Sequence, residues 1–108
     1  MSKYHSRKVQ RDGRTFDSLH EAARYTELRI LERAGIISRL KCQVPFELIP
    51  AQYEKGKCVE RSCKYVADFT YWEGGKFIVE DAKGVRTDVY RIKKKAMLYK
   101  YGIRIREV

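Results

Sequence analysis

Apolar residues recur at two different periods along this chain, and the period changes where glycine, proline or an Asp-Gly pair punctuates it. Leu19, Ala23, Thr26, Ile30 and Ala34 fall on one stripe of a helix. Ser18-Leu19-His20-Glu21 before that stripe is a capping box, with Ser18 as N-cap and Glu21 at the third helical position, and Gly35 ends the helix. A second helix is predicted over residues 88–101, capped by Thr87, stopped by Gly102 and turning Val89, Ile92, Ala96 and Tyr99 inward. Between them the period is two. Residues 38–49 alternate as a strand that Pro45 confines to an edge or a bulge. Residues 50–62 are polar and contain Gly56, as in a hairpin loop or the tip of two extended strands. Residues 64–72 place Tyr65, Ala67, Phe69 and Tyr71 on one face and Val66, Asp68 and Thr70 on the other. Residues 77–83 form a mostly buried strand that ends on charge, and residues 103–108 alternate as a last strand. Upstream, Arg11-Asp12-Gly13-Arg14 reads as a hairpin turn. The order is hairpin, helix, three strands, helix, strand: an α/β chain of the α+β type with a mixed sheet.

The turn Glu73-Gly74-Gly75 ties the two central strands together. If both glycines are turn residues, Glu73 pairs with Lys76 and Asp68 lies opposite Asp81 on the next strand. Cross-strand partners stand about 5 Å apart on one face, and two carboxylates that close repel unless a cation holds them. Phe77, Val79, Asp81 and Lys83 share a face of the second strand, where an acid and a lysine two residues apart are about 7 Å apart. That spacing suits a metal ion and a phosphate between them. Charged residues at a strand end are in most proteins simply solvated, so the case rests on the second acid and on the chain's charge.

That charge is large: 24 Lys plus Arg against 14 Asp plus Glu in 108 residues, a formal +10. The length suits one domain, with residues 1–17 as an N-terminal arm or hairpin. The excess favours a polyanionic partner, most commonly nucleic acid. Arg11 and Arg14 on the hairpin arms, and Arg91, Lys94 and Lys95 projecting outward from the second helix, are candidate phosphate contacts, weighed against solvated basic faces. No long apolar run and no signal-peptide core occurs, so a soluble cytoplasmic protein is expected. Cys42, Cys58 and Cys63 are odd in number and lack a C-x-x-C pair, so free thiols are expected; Cys58 and Cys63 with a histidine are a loose zinc alternative. His20 reads as a surface residue of the first turn, and Gln43 as a hydrogen-bonding spacer in preference to a substrate contact. Glu27 lies nearer the apolar stripe than Glu21 and rivals it as an inward carboxylate.

Asp68 followed by Asp81-Ala82-Lys83, behind a helix bearing Glu21 and ahead of a helix and strand, resembles the PD-(D/E)XK nuclease superfamily. The longer string of Phe16-Asp17-Ser18, Glu21-Ala22, Leu28, Gly35-Ile36, Gln43-Val44-Pro45-Phe46, Tyr65-Val66-Ala67-Asp68-Phe69, Val79-Glu80-Asp81-Ala82-Lys83-Gly84 and Tyr101-Gly102-Ile103 resembles small phage and prophage proteins of the DUF1064 type. Ala67 stands where the superfamily often has a proline. The resemblance implies a restriction-endonuclease-like αβββαβ core and a Mg²⁺-dependent DNA endonuclease, with Mn²⁺ as a substitute ion. It assigns the metal to Asp68, Asp81 and the backbone carbonyl of Ala82, water activation to Lys83, and a helix glutamate to Glu21; Glu80 points away. The expected enzyme is a phage-type, structure-selective endonuclease of recombination or replication in the host cytoplasm, and a two-fold junction substrate would favour a homodimer. The rival expectation is a basic nucleic-acid-binding module on the same fold with no catalysis.

Overall fold

The computed structural model describes residues 8–82 and 86–108. Its elements are β1 (Val9–Arg11), β2 (Arg14–Phe16), α1 (Leu19–Arg33), β3 (Ile37–Ile49), β4 (Gln52–Glu54), β5 (Lys57–Glu60), β6 (Cys63–Glu73), β7 (Lys76–Asp81), α2 (Asp88–Tyr101) and β8 (Arg106–Glu107). β1 and β2 form the N-terminal hairpin, and β4 and β5 form a second, exposed one within the polar 50–62 segment. The main sheet has the order β3-β6-β7-β8, with antiparallel pairs except for the parallel β7–β8 pair, so the fold is mixed α+β as expected. Pro45 sits on an edge strand, where its missing N–H costs no inner ladder bond.

Local chemistry accounts for the boundaries. Ser18 Oγ accepts from the Glu21 N–H at 3.1 Å and Thr87 Oγ1 from the Tyr90 N–H at 3.1 Å, so both predicted caps form. Gly74 and Gly75 turn with φ of 56° and 78°, which a β-carbon would oppose, and they set Glu73 opposite Lys76 as predicted.

Both helices, however, are rotated from the predicted stripes. α1 buries Glu21, Ala22, Tyr25 and Leu28, while Leu19 and Ile30 are 64% and 59% exposed. α2 buries Tyr90 and Met97, while Val89, Ile92 and Tyr99 are exposed. The reason is what each helix meets: α1 lies over a sheet face that offers partners to its polar groups, Glu80 for Arg24 and the hairpin's Asp12 for the Tyr25 hydroxyl. Aliphatic content alone therefore points the wheel the wrong way.

The sheet also departs from simple alternation. Tyr65 and Ala67 pack with Val79, Tyr90, Met97 and Ile105 beneath α2, whereas Phe69 and Tyr71 pack with Phe16, Tyr25 and Leu28 beneath α1. The single face expected for these four residues is thus divided at Asp68, and residues 67 to 71 are all buried. Opposite this break, between the pairs Cys42↔Phe69 and Val44↔Ala67, Gln43 adopts φ 54°, a left-handed conformation that costs a side-chain-bearing residue about 1–2 kcal/mol. β7 corrects a further expectation: its apolar start is open, with Phe77 39% exposed beside Trp72, and its charged end is the buried part.

Candidate functional site

The break in alternation is where the acids gather. Glu21, in the first turn of α1, is 5% exposed. Gln43 Nε2 donates to Glu21 Oε2 at 2.9 Å and lies 3.5 Å from Asp68 Oδ1, so one amide bridges a helix carboxylate and a strand carboxylate. The other oxygen of Asp68 accepts from the Ala82 N–H at 2.9 Å, which ties β6 to the residue following β7. Burial, reinforced by the negative charge of Asp68 and then Asp17, pushes the Glu21 carboxyl up to about 7, with the Gln43 hydrogen bond opposing. A carboxyl poised there exchanges a proton near neutrality, as a group serving acid-base chemistry must.

Asp81 completes the floor. The β6–β7 ladder runs from Glu73↔Lys76 to Phe69↔Glu80 and ends there, one position short of the predicted Asp68–Asp81 pair. Asp81 is fully buried and its Oδ2 accepts from the Tyr65 hydroxyl at 2.6 Å. Burial and that bond hold the Tyr65 phenol above its ordinary range. On the other side Asp81 pairs in register with Glu107 of β8, whose carboxylate accepts from the Tyr90 hydroxyl at 2.7 Å. Tyr90, Arg86 and Lys94 together hold Glu107 down to about 2.

The neighbouring acid, Glu80, does point away, but into a different role. It is fully buried, receives Arg24 Nε at 2.7 Å and Nη2 at 2.8 Å, and accepts from the Tyr71 hydroxyl. This fork between helix and sheet is a bidentate pair on a fully buried carboxylate. Glu27, the rival to Glu21, is on the outside of α1 in a surface pair with Arg24 at 3.2 Å. His20 is exposed, its Nε2 3.0 Å from the Val108 carbonyl oxygen.

The remaining candidates are dispersed. Arg11 and Arg14 are exposed on the hairpin, which Phe16 and the Asp12–Tyr25 bond anchor to α1. Arg14 is near enough to the half-buried Cys42 to oppose the upward push of burial on its thiol. The cysteines are free, and Cys58 is on the outlying hairpin. Arg91, Lys94 and Lys95 line a cleft rather than a uniform outer face. Lys83 lies outside the described residues. Sequence reasoning missed the anchoring roles of Tyr65, Tyr90 and the Arg24–Glu80 pair, and it weighed Gln43 as a substrate contact or a hydrogen-bonding spacer without finding its partners Glu21 and Asp68. Leu40 to Leu48 alternates without interruption, so the sequence carried no signal for the bridge that Gln43 makes.

Among the described residues no three Asp, Glu, His or Cys side chains form a complete metal cluster. The donor chemistry nevertheless fits a hard divalent ion, because Glu21 and Asp68 aim carboxylate oxygens at one point, the amide of Gln43. Among the same residues no helix is long and apolar enough to cross a membrane.

Fold and site together define a small basic α+β domain that buries acids from α1, β6 and β7 at one end of its sheet. The chain belongs to the family described as protein of unknown function DUF1064, whose model matches residues 1–106. No curated protein and no solved structure matches it.

Proposed function

We propose that the protein is a divalent-metal-dependent DNA endonuclease of the PD-(D/E)XK superfamily, of phage type and selective for branched DNA. The observation that carries this reading is the bridge from Glu21 through Gln43 to Asp68, with Ala82 bonded to Asp68, because it gathers residues far apart in sequence into one buried acidic site on a +10 chain. Asp68, Asp81 and the Ala82 carbonyl would hold Mg²⁺, or Mn²⁺ in its place, and the bound ion supplies Lewis-acid stabilisation of phosphate charge and an acidified water. Tyr65 fixes the rotamer of Asp81, and the Ala82 N–H fixes that of Asp68, so the ligands are oriented before substrate arrives. Glu21 stands beside them as the group able to take or return a proton at neutral pH. Lys83, two residues beyond Asp81, is the cation assigned to the attacked phosphate.

The test is incubation of purified protein with labelled linear, forked and four-way DNA, with Mg²⁺ or with EDTA. Cleavage that requires the ion and vanishes in Asp68→Asn supports the reading. Tight binding to the same DNA with no cleavage in either condition replaces it with a non-catalytic binding module. A homodimer, read by light scattering, is the assembly expected if four-way DNA is the preferred substrate.

A further inference from the structure

A cleft of about 370 Å³ opens between α2 and the C-terminal strand, lined by Arg86, Tyr90, Arg91, Lys94, Lys95, Leu98, Arg104 and Glu107. We propose that it binds the terminal nucleotide of a DNA strand by its phosphate, a substrate feature that deepens the nuclease reading and rests on it. Five of the lining side chains are cations and one is an acid. Glu107 engages Arg86 at 3.0 Å and Lys94 at 3.2 Å, and the exposed Asp88 engages Arg91 at 3.0 Å. Among the described residues no acid pairs with Lys95 or Arg104, so two cations are left to face an incoming anion. A terminal phosphate approaches two negative charges at neutral pH, against one for a backbone diester, and so answers this excess better.

The walls say more about the ligand. Leu98 and the ring of Tyr90 provide an apolar side, and the volume is in the ~300–1,000 Å³ range of sites that enclose a small ligand. A bare phosphate ion would leave that wall untouched, whereas a nucleotide sets its sugar and base against it. The position is apt as well: Glu107 of the cleft is the register partner of Asp81, and neighbouring strands are about 5 Å apart. A strand whose end is seated in the cleft therefore leads its chain past the acidic site.

Binding is measured by fluorescence polarisation in EDTA, so that it is read independently of any cleavage. The probe is a short DNA single strand labelled at one end and carrying either a phosphate or a hydroxyl at the other. The phosphate-ended strand is expected to bind about tenfold more tightly, and Lys95→Gln with Arg104→Gln should remove that advantage while circular dichroism stays unchanged. Adenosine monophosphate should displace the strand at concentrations where inorganic phosphate does not. Equal binding of the two strand ends overturns the proposal, and so does an equal loss in Lys57→Gln on the distant β5 hairpin. Displacement by inorganic phosphate as effective as by the nucleotide overturns it too. Absence of cleavage with the binding pattern intact would sink the nuclease reading alone.

Discussion

Glu21 does two things with one side chain. Its N–H is capped by Ser18, and its carboxyl is buried beside Asp68 and pushed up to about 7. The sign of the stability effect follows. Below about pH 4.5 the carboxyl keeps its proton folded and unfolded alike; from there to about 7 the unfolded chain loses the proton first, so the fold weakens as pH rises. The cost reaches at most about 3 kcal/mol above that window. Glu21→Gln removes this cost, so the variant should be as stable as wild type at pH 4 and more stable at pH 8 by urea denaturation in EDTA. On the nuclease reading it also loses cleavage on the order of a hundredfold. Glu27→Gln, on the outer surface, should change neither. Asp68→Asn keeps an oxygen for the Ala82 N–H while removing the charge; it should retain the metal-free fold and abolish Mg²⁺-dependent cleavage, as followed by a labelled-DNA assay.

At the scale of elements, the contact that sets α1 on the sheet is the Arg24 fork on Glu80. Arg24 is on the helix and Glu80 on β7, so this pair holds the rotation that turns Glu21 inward and leaves Leu19 and Ile30 outside. Breaking such a pair leaves a buried charge uncompensated, which costs about 3–5 kcal/mol. Arg24→Met should lower the urea midpoint accordingly, and Arg24→Met with Glu80→Gln should recover a large part of the loss. The helix rotation is also why the predicted stripes misled: Leu19, Ile30, Val89, Ile92 and Tyr99 face solvent, while the buried faces are Glu21, Ala22, Tyr25 and Leu28 in α1 and Tyr90 and Met97 in α2. Strand patterns served better where turn chemistry set the register, as at Gly74-Gly75, and failed at Asp68, where two core clusters compete for one strand.

Over the whole molecule, the cations behind the +10 charge include two groups set apart, Arg11 and Arg14 on the hairpin at the α1 side and the five that line the α2 cleft. If the hairpin contacts a phosphate backbone, Arg11→Gln with Arg14→Gln should weaken duplex binding and reduce the slope of log affinity against log salt by roughly one to two. The same variant should leave the preference of the α2 cleft for a phosphorylated end unchanged. An unaltered salt slope would return both arginines to the role of solvated surface charge.

By itself the sequence determined the elements and their order, both helix caps, the edge position of Pro45 and the central register. Each of these depends on backbone conformations and hydrogen bonds that reach only a few residues, and Ser18, Thr87 and the glycine pair specify them locally. Tertiary structure alone decided which face of each helix is inside, that Glu80 is sealed by Arg24, and that Gln43 leaves the extended conformation to join Glu21 to Asp68. Those outcomes depend on partners tens of residues away: a buried carboxylate must find a donor, and which donor is within reach is settled only when the helix and the sheet close on each other.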